Sequence, residues 1–121
     1  MKKGRVLVVV SDAIVADDVS SILQDIGYEV TAMVPSGEQA VERAAKDSPD
    51  LVLMDVVLRR EMDGIEAAEQ IRSRSHIPVV YLTPYVDHEF KERAEATHPY
   101  NYILKPFGDE DLSNGIEAIL G

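Results

Sequence analysis

Leu51-Val52-Leu53-Met54-Asp55 is a short apolar run closed by a carboxylate, with Pro49-Asp50 before it and a polar, irregular stretch, Val56 to Gly64, after it. A run this short, bounded by turn-forming residues, fits a buried strand. Asp55 then stands at the carboxyl end of that strand. In an open α/β sheet the loops leaving this edge form a crevice, and ligands and chemistry collect there. An Asp after a strand is ordinarily a turn former or a helix cap. Asp55 is poorly placed for either, because Val56, Val57 and Leu58 follow it and the next helix signal waits until Asp63-Gly64.

The pattern extends in both directions from this strand. Val6 to Val10 is a continuous β-branched run, and Ile14, Val15, Val19, Ile22, Leu23 and Ile26 then recur at helical spacing until Gly27. Tyr28 to Val34 predicts a second strand, ended by Pro35. Ser36 with Gln39 three residues on resembles a capping box, ahead of a helix whose inner face is Ala40, Val41, Ala44 and Ala45. After Asp55, Asp63 can cap a third helix with Ile65, Ala68 and Ile71 facing inward. Ile77 to Leu82 predicts the fourth strand, with Pro78 confined to its start. Asp87 to Ala96 predicts a short charged helix anchored chiefly by Phe90 and Ala94, the least firmly held of the set. Tyr100 to Leu104 is the fifth strand, and Leu112, Ile116, Ile119 and Leu120 mark the last helix, in which Gly115 is expected only to weaken the element.

Five strands alternating with five helices imply one α/β domain over residues 1–121. Its parallel sheet is covered on both faces, in three layers, with right-handed crossovers. The strand ends then bring Ser11-Asp12, Asp55, Thr83 and Lys105 to one crevice.

Composition narrows the function. The 121 residues carry 22 acidic against 12 basic side chains, a formal charge of −10, which opposes direct nucleic-acid binding and binding to an anionic membrane. There is no cysteine, so disulfides and thiolate metal sites are out and a reducing compartment suits the chain. No apolar stretch approaches the roughly 20 residues of a membrane span, and the apolar run after Met1-Lys2-Lys3-Gly4-Arg5 is broken by Ser11-Asp12 too early for a signal peptide. A cytoplasmic protein is expected.

A carboxylate, a hydroxyl and an ammonium at one edge suit phosphoryl chemistry better than acyl transfer, which needs a base-activated Ser or Cys. Asp55 would be the nucleophile, Lys105 would meet a phosphoryl oxygen, and Thr83 would donate to another. Pro106 fixes the chain after Lys105, and a cis Lys105–Pro106 bond is one of its two options.

Leu53-Met54-Asp55, Met62-Asp63-Gly64-Ile65-Glu66, Ile77 through Thr83, and Tyr102-Ile103-Leu104-Lys105-Pro106-Phe107 together resemble the receiver domain of two-component response regulators, over essentially the whole chain. The resemblance implies a flavodoxin-like sheet in the order 2-1-3-4-5. It assigns the phosphoacceptor to Asp55, the switch to Thr83 with Tyr102 as the aromatic that swings inward, and the conserved-motif lysine to Lys105. It implies Mg²⁺, held by Asp55, by the backbone carbonyl of Val57 and by acidic residues after the first strand. The phosphoryl donor would be a sensor histidine kinase or a histidine phosphotransfer protein, and the face of the fourth helix, fifth strand and fifth helix a homodimer or effector surface.

Three positions depart from that pattern. Val10 and Ser11 stand where the family has its two carboxylates, and each lost charge pair is worth about 4 kcal/mol gross at 4 Å and an effective dielectric near 20. Asp12, one residue later, either caps the first helix or turns into the metal site. Mg²⁺ binding should be weakened, and Asp55 should pair directly with Lys105. Pro84 replaces a residue whose N–H would contact the phosphoryl group, and one such donor is worth about 3 kcal/mol in enzymes built that way. The loop Leu58-Arg59-Arg60-Glu61-Met62 is one residue longer than the common form, with Arg59 and Arg60 read as a solvated pair.

The sequence therefore points to a phosphorelay receiver, a switch rather than a turnover enzyme, with no output domain in these residues. A degenerate receiver that binds partners without phosphorylation is the alternative, favoured by Val10, Ser11 and Pro84. A flavin carrier is disfavoured, since Ser11-Asp12-Ala13 is a poor phosphate loop. His76, His88 and His98 share no metal-ligand spacing, and Asp17-Asp18 is read as a solvated helix face.

Overall fold

A computed structural model describes residues 3–58 and 62–120. Five strands and five helices alternate: β1 (Arg5–Val9), α1 (Ala13–Asp25), β2 (Glu29–Val34), α2 (Gly37–Asp47), β3 (Leu51–Asp55), α3 (Gly64–Arg74), β4 (Val79–Thr83), α4 (His88–Glu95), β5 (Tyr100–Leu104) and α5 (Asp109–Leu120). All pairings are parallel and the order is β2-β1-β3-β4-β5. The expected strands are present with ends shifted by one or two residues: β1 takes in Arg5 and stops at Val9, and β4 starts at Val79 and includes Thr83.

Alternation along the strands divides the core. Leu7, Val9, Val52, Met54, Val79 and Tyr81 face one way, onto Ala40, Val41 and Ala44 of α2, Ile65, Ala68 and Ile71 of α3, and Phe90 and Ala94 of α4. Val6, Val8, Leu51, Leu53, Val80, Leu82 and Ile103 face the other, onto Ala16, Val19 and Leu23 of α1 and Leu112 and Ile116 of α5. The three central strands are buried on both faces, and for that reason their sequences are continuous apolar runs.

Helix starts follow their caps. Asp63 and Glu66 form a complete capping box on α3, Glu66 N donating to Asp63 Oδ1 at 2.9 Å and Asp63 N donating to Glu66 Oε1 at 3.3 Å. Ser36 caps α2 by accepting from Gln39 N at 3.3 Å, but the box is half made, because the Ser36 hydroxyl donates to Gln39 Oε1 at 2.9 Å. Gly115 does more than weaken α5. A Cβ there would fall 2.6 Å from Ile103 Cγ1, so its absence lets α5 lie close on β5, and its carbonyl accepts from Asn101 Nδ2 at 3.1 Å. Among the described residues no helix is long and apolar enough to cross a membrane.

Candidate functional site

Register places the site. Asp55 pairs with Leu82 and Thr83 pairs with Leu104, so β3, β4 and β5 end level with one another. Two backbone bonds hold that level past the strand ends: Val56 N donates to Leu82 O at 3.1 Å and Lys105 N to Thr83 O at 2.9 Å. Asp55, Thr83 and Lys105 are thereby brought to one edge, as the strand pattern requires. The Lys105–Pro106 and His98–Pro99 bonds are both cis.

Asp55 is 4% exposed. Lys105 Nζ lies 2.7 Å from its Oδ1, and this ion pair is the polar contact made to the buried Oδ1 among the described residues. Burial pushes the Asp55 carboxyl above the usual carboxylate range; the Lys105 ammonium pulls it back, and the negative charge of Asp12 adds to the rise. The result is a desolvated carboxylate with one adjacent cation, which suits a nucleophile.

The backbone beneath Asp55 is held by Gly64. Its N–H donates to Val56 O at 2.8 Å, and a Cβ at Gly64 would overlap the Asp55 carbonyl oxygen. Any side chain would push the β3 terminus away from α3. Asp63-Gly64 reads in sequence as a helix start, and nothing there marks Gly64 as a seat for Asp55.

Thr83 is buried, and its hydroxyl donates to Tyr85 O at 2.9 Å across Pro84, within its own turn and not toward Asp55. Tyr102 stands on β5 with 37% of its surface exposed, its ring edge-on to Phe90 at 5.9 Å. Between the β3–α3 loop and α4 lies a cleft of about 170 Å³, lined by Val56, Val57, Thr83, Pro84, Phe90 and Arg93 among others. Arg93 crosses to the α3 cap, its Nη2 2.8 Å from Asp63 Oδ2 and 3.0 Å from Oδ1. Sequence reading missed this pair, although Arg93 lies three residues after Phe90 and so shares its inward side of α4.

The first strand contributes differently. Val10 is buried at 3% exposure, and with Ser11, Ala13, Met33 and Pro35 it lines a mostly apolar hollow of about 240 Å³. The Asp12 carboxylate caps α1, accepting from Ile14 N at 2.9 Å and Val15 N at 3.3 Å. Val57 follows Asp55 with its side chain exposed. Receiver domains generally bind Mg²⁺ at an acidic pocket. Among the described residues there is no group of three or more His, Cys, Asp or Glu able to hold a metal ion. Arg59 and Arg60 lie outside the described residues. The histidines are dispersed: His76 contacts Arg72, His88 contacts Glu92, and His98 packs on Tyr100.

The family whose sequence model matches is the response regulator receiver domain, over residues 6–117. The chain is 39% identical over 113 residues to the transcriptional regulatory protein PdtaR of Mycobacterium tuberculosis, covering 93% of this chain and 55% of that protein. It is 34% identical over 118 residues to the DNA-binding response regulator MtrA of the same species, covering 98% of this chain and 51% of that one. It thus spans about half the length of these curated relatives. Among solved structures, the chemotaxis protein CheY4 of Vibrio cholerae superposes with a TM-score of 0.87 at 30% identity, over 95% of this chain and 97% of that one. The signal receiver domain of a modulated diguanylate cyclase from Desulfovibrio desulfuricans G20 does so with a TM-score of 0.87 at 30% identity, over 97% and 93%. A model match across most of the chain, with relatives above 30% identity and a shared strand order, shows that this chain belongs to the response regulator receiver domain family.

Proposed function

We propose that this receiver takes a phosphoryl group on Asp55 from a sensor histidine kinase or a histidine phosphotransfer protein and reports it through Thr83 and Tyr102. Response regulators as a class interact with sensor histidine kinases. The observation that carries the reading is the buried Asp55 carboxylate, at the same sheet edge as Thr83 and 2.7 Å from Lys105 Nζ. An Asp55 oxygen attacks phosphorus as the phosphorus–nitrogen bond of a phosphohistidine breaks, and the imidazole departs with the bonding electrons. Lys105 stands where charge builds on the transferring oxygens, in a partly dry site where such a cation acts strongly. Thr83 can donate to the same group once it releases Tyr85 O, and a cleft lies beside it. The protein would act as a switch, without turnover of a separate substrate.

Mg²⁺ affinity is weakened in this reading, since the first strand supplies Val10 and Ser11 and Asp12 is committed to its helix. Tyr102 and Leu104, both exposed on the edge strand β5, support a homodimer or effector surface over α4, β5 and α5. The charge of −10 supports the absence of direct nucleic-acid contact by this domain.

Intact mass after incubation with acetyl phosphate, with and without Mg²⁺, tests the reading. One phosphoryl group gained by the wild type and absent from Asp55→Asn is the expected result. A second reading, a phosphorylation-independent interaction module, is favoured by the Asp12 cap and by Pro84, which removes a phosphoryl donor. It would be adopted if neither acetyl phosphate nor a histidine phosphodonor protein modifies Asp55.

A further inference from the structure

α4 is eight residues long and buries only Phe90 and Ala94. A helix this short draws little stability from its own turns and depends on what it packs against. Among the described residues, its single side-chain polar tie to another element is Arg93 Nη2 on both carboxylate oxygens of Asp63, at 2.8 and 3.0 Å. An exposed ion pair is ordinarily worth little, because two long side chains must be ordered to form it. Here one partner is already ordered. Asp63 is fixed by its capping box with Glu66, and both members of the pair are only about one-third exposed, at 37% and 29%. The next residue, Gly64, is the one whose N–H holds Val56 O and whose Cα leaves no room for a Cβ against the Asp55 carbonyl.

We infer that Arg93 and Asp63 form a latch joining α4 to the backbone of Asp55, so that the helix beside the Thr83 cleft and the backbone under the carboxylate loosen or hold together. The path has three links, each a direct contact: α4 to Asp63 through the guanidinium, Asp63 to Gly64 through the chain, and Gly64 to Asp55 and Val56 through backbone packing. Arg93 also lines the cleft beside Thr83, so the latch bears on the width of that space. Arg93 is a positioning residue in this scheme and touches no reacting atom. The inference rests on Asp55 being the functional carboxylate, but the coupling it describes belongs to the unmodified protein.

Amide hydrogen exchange on the whole chain, with no phosphodonor present, isolates the latch from the phosphorylation reading. Arg93→Gln and Asp63→Asn, the latter keeping a good helix cap, should each speed exchange about threefold in α4 and at the Gly64 amide. The double variant should be no faster than either single one, and Arg93→Lys should recover part of the protection at both places. Faster exchange in α4 with an unchanged Gly64 amide, or additive effects in the double variant, would overturn the latch even if Asp55 accepts a phosphoryl group. Failure of Asp55 to be phosphorylated leaves the exchange result to be decided on its own.

Discussion

The two sides of the functional edge differ in how much of the family's chemistry they hold. On the β4–β5 side, the ends of the strands bring Thr83 and Lys105 to the edge where Asp55 stands, one residue past its register partner Leu82 in the case of Thr83. On the β1–β2 side, Val10 and Met33 line a mostly apolar hollow that Asp17 also borders, and Asp12 Oδ1 accepts from two backbone N–H groups. The comparison teaches that the two sides of the edge are placed independently. Thr83 and Lys105 depend on β4 and β5 for placement, and nothing on β1 is needed to bring them to Asp55.

The largest test of that separation strikes the retained side. Lys105→Ala should slow phosphoryl gain by acetyl phosphate on the order of 10²-fold, the scale of losing one charge-stabilising donor, in a time course of intact mass. Next comes restoration of the altered side. Val10→Asp with Ser11→Asp should create a Mg²⁺ site, and at about 100 times its Kd the cation would stabilise the fold by about 2.7 kcal/mol. The wild type's melting temperature should barely move over the same titration. A large rise in the wild type would erase the distinction between the two sides.

Smaller effects sharpen it. Gly64→Ala should cost about 1–3 kcal/mol by denaturant unfolding, because the added methyl meets backbone rather than a side chain that could turn away. Asp12→Ala should cost about 1 kcal/mol, the worth of a helix cap, and leave any Mg²⁺ response unchanged. The smallest effect is in pH. Asp55 titrates above its unfolded value, so the folded state holds the proton more tightly, and stability should fall as pH rises from the ordinary carboxylate range through the raised value. Asp55→Asn should lack that decline, so the two melting curves should separate with increasing pH and then run parallel.

The fold was legible because the three central strands are buried on both faces and each helix on one, so periodicity reports burial directly. The site was legible as far as it lies on strand ends: Asp55, Thr83 and Lys105 follow from where apolar runs stop. What did not show was contact between distant segments. The Arg93–Asp63 pair joins residues thirty apart, and no local pattern selects it over Lys91 or Glu66. The hydrogen bond from Tyr81 Oη to Thr97 Oγ1, 2.7 Å and buried, was hidden for the same reason. Gly64 and Gly115 were underrated because a glycine's use lies in what approaches it, and sequence lists only the glycine.

The level ending of β3, β4 and β5 has a consequence for how the chain tolerates insertions and deletions. One residue added within β4 would turn Thr83 to the opposite face of the sheet and carry it past Asp55, since side chains alternate with a period of two. The connections at the other end of the sheet, around Gly27, Ser48 and Ser75, could lengthen by several residues at a cost of about 0.6 kcal/mol per doubling of loop length, without moving a site atom. The edge that carries Asp55 is thus measured out in strand lengths, and an indel scan should find the chain intolerant there and permissive at the far rim.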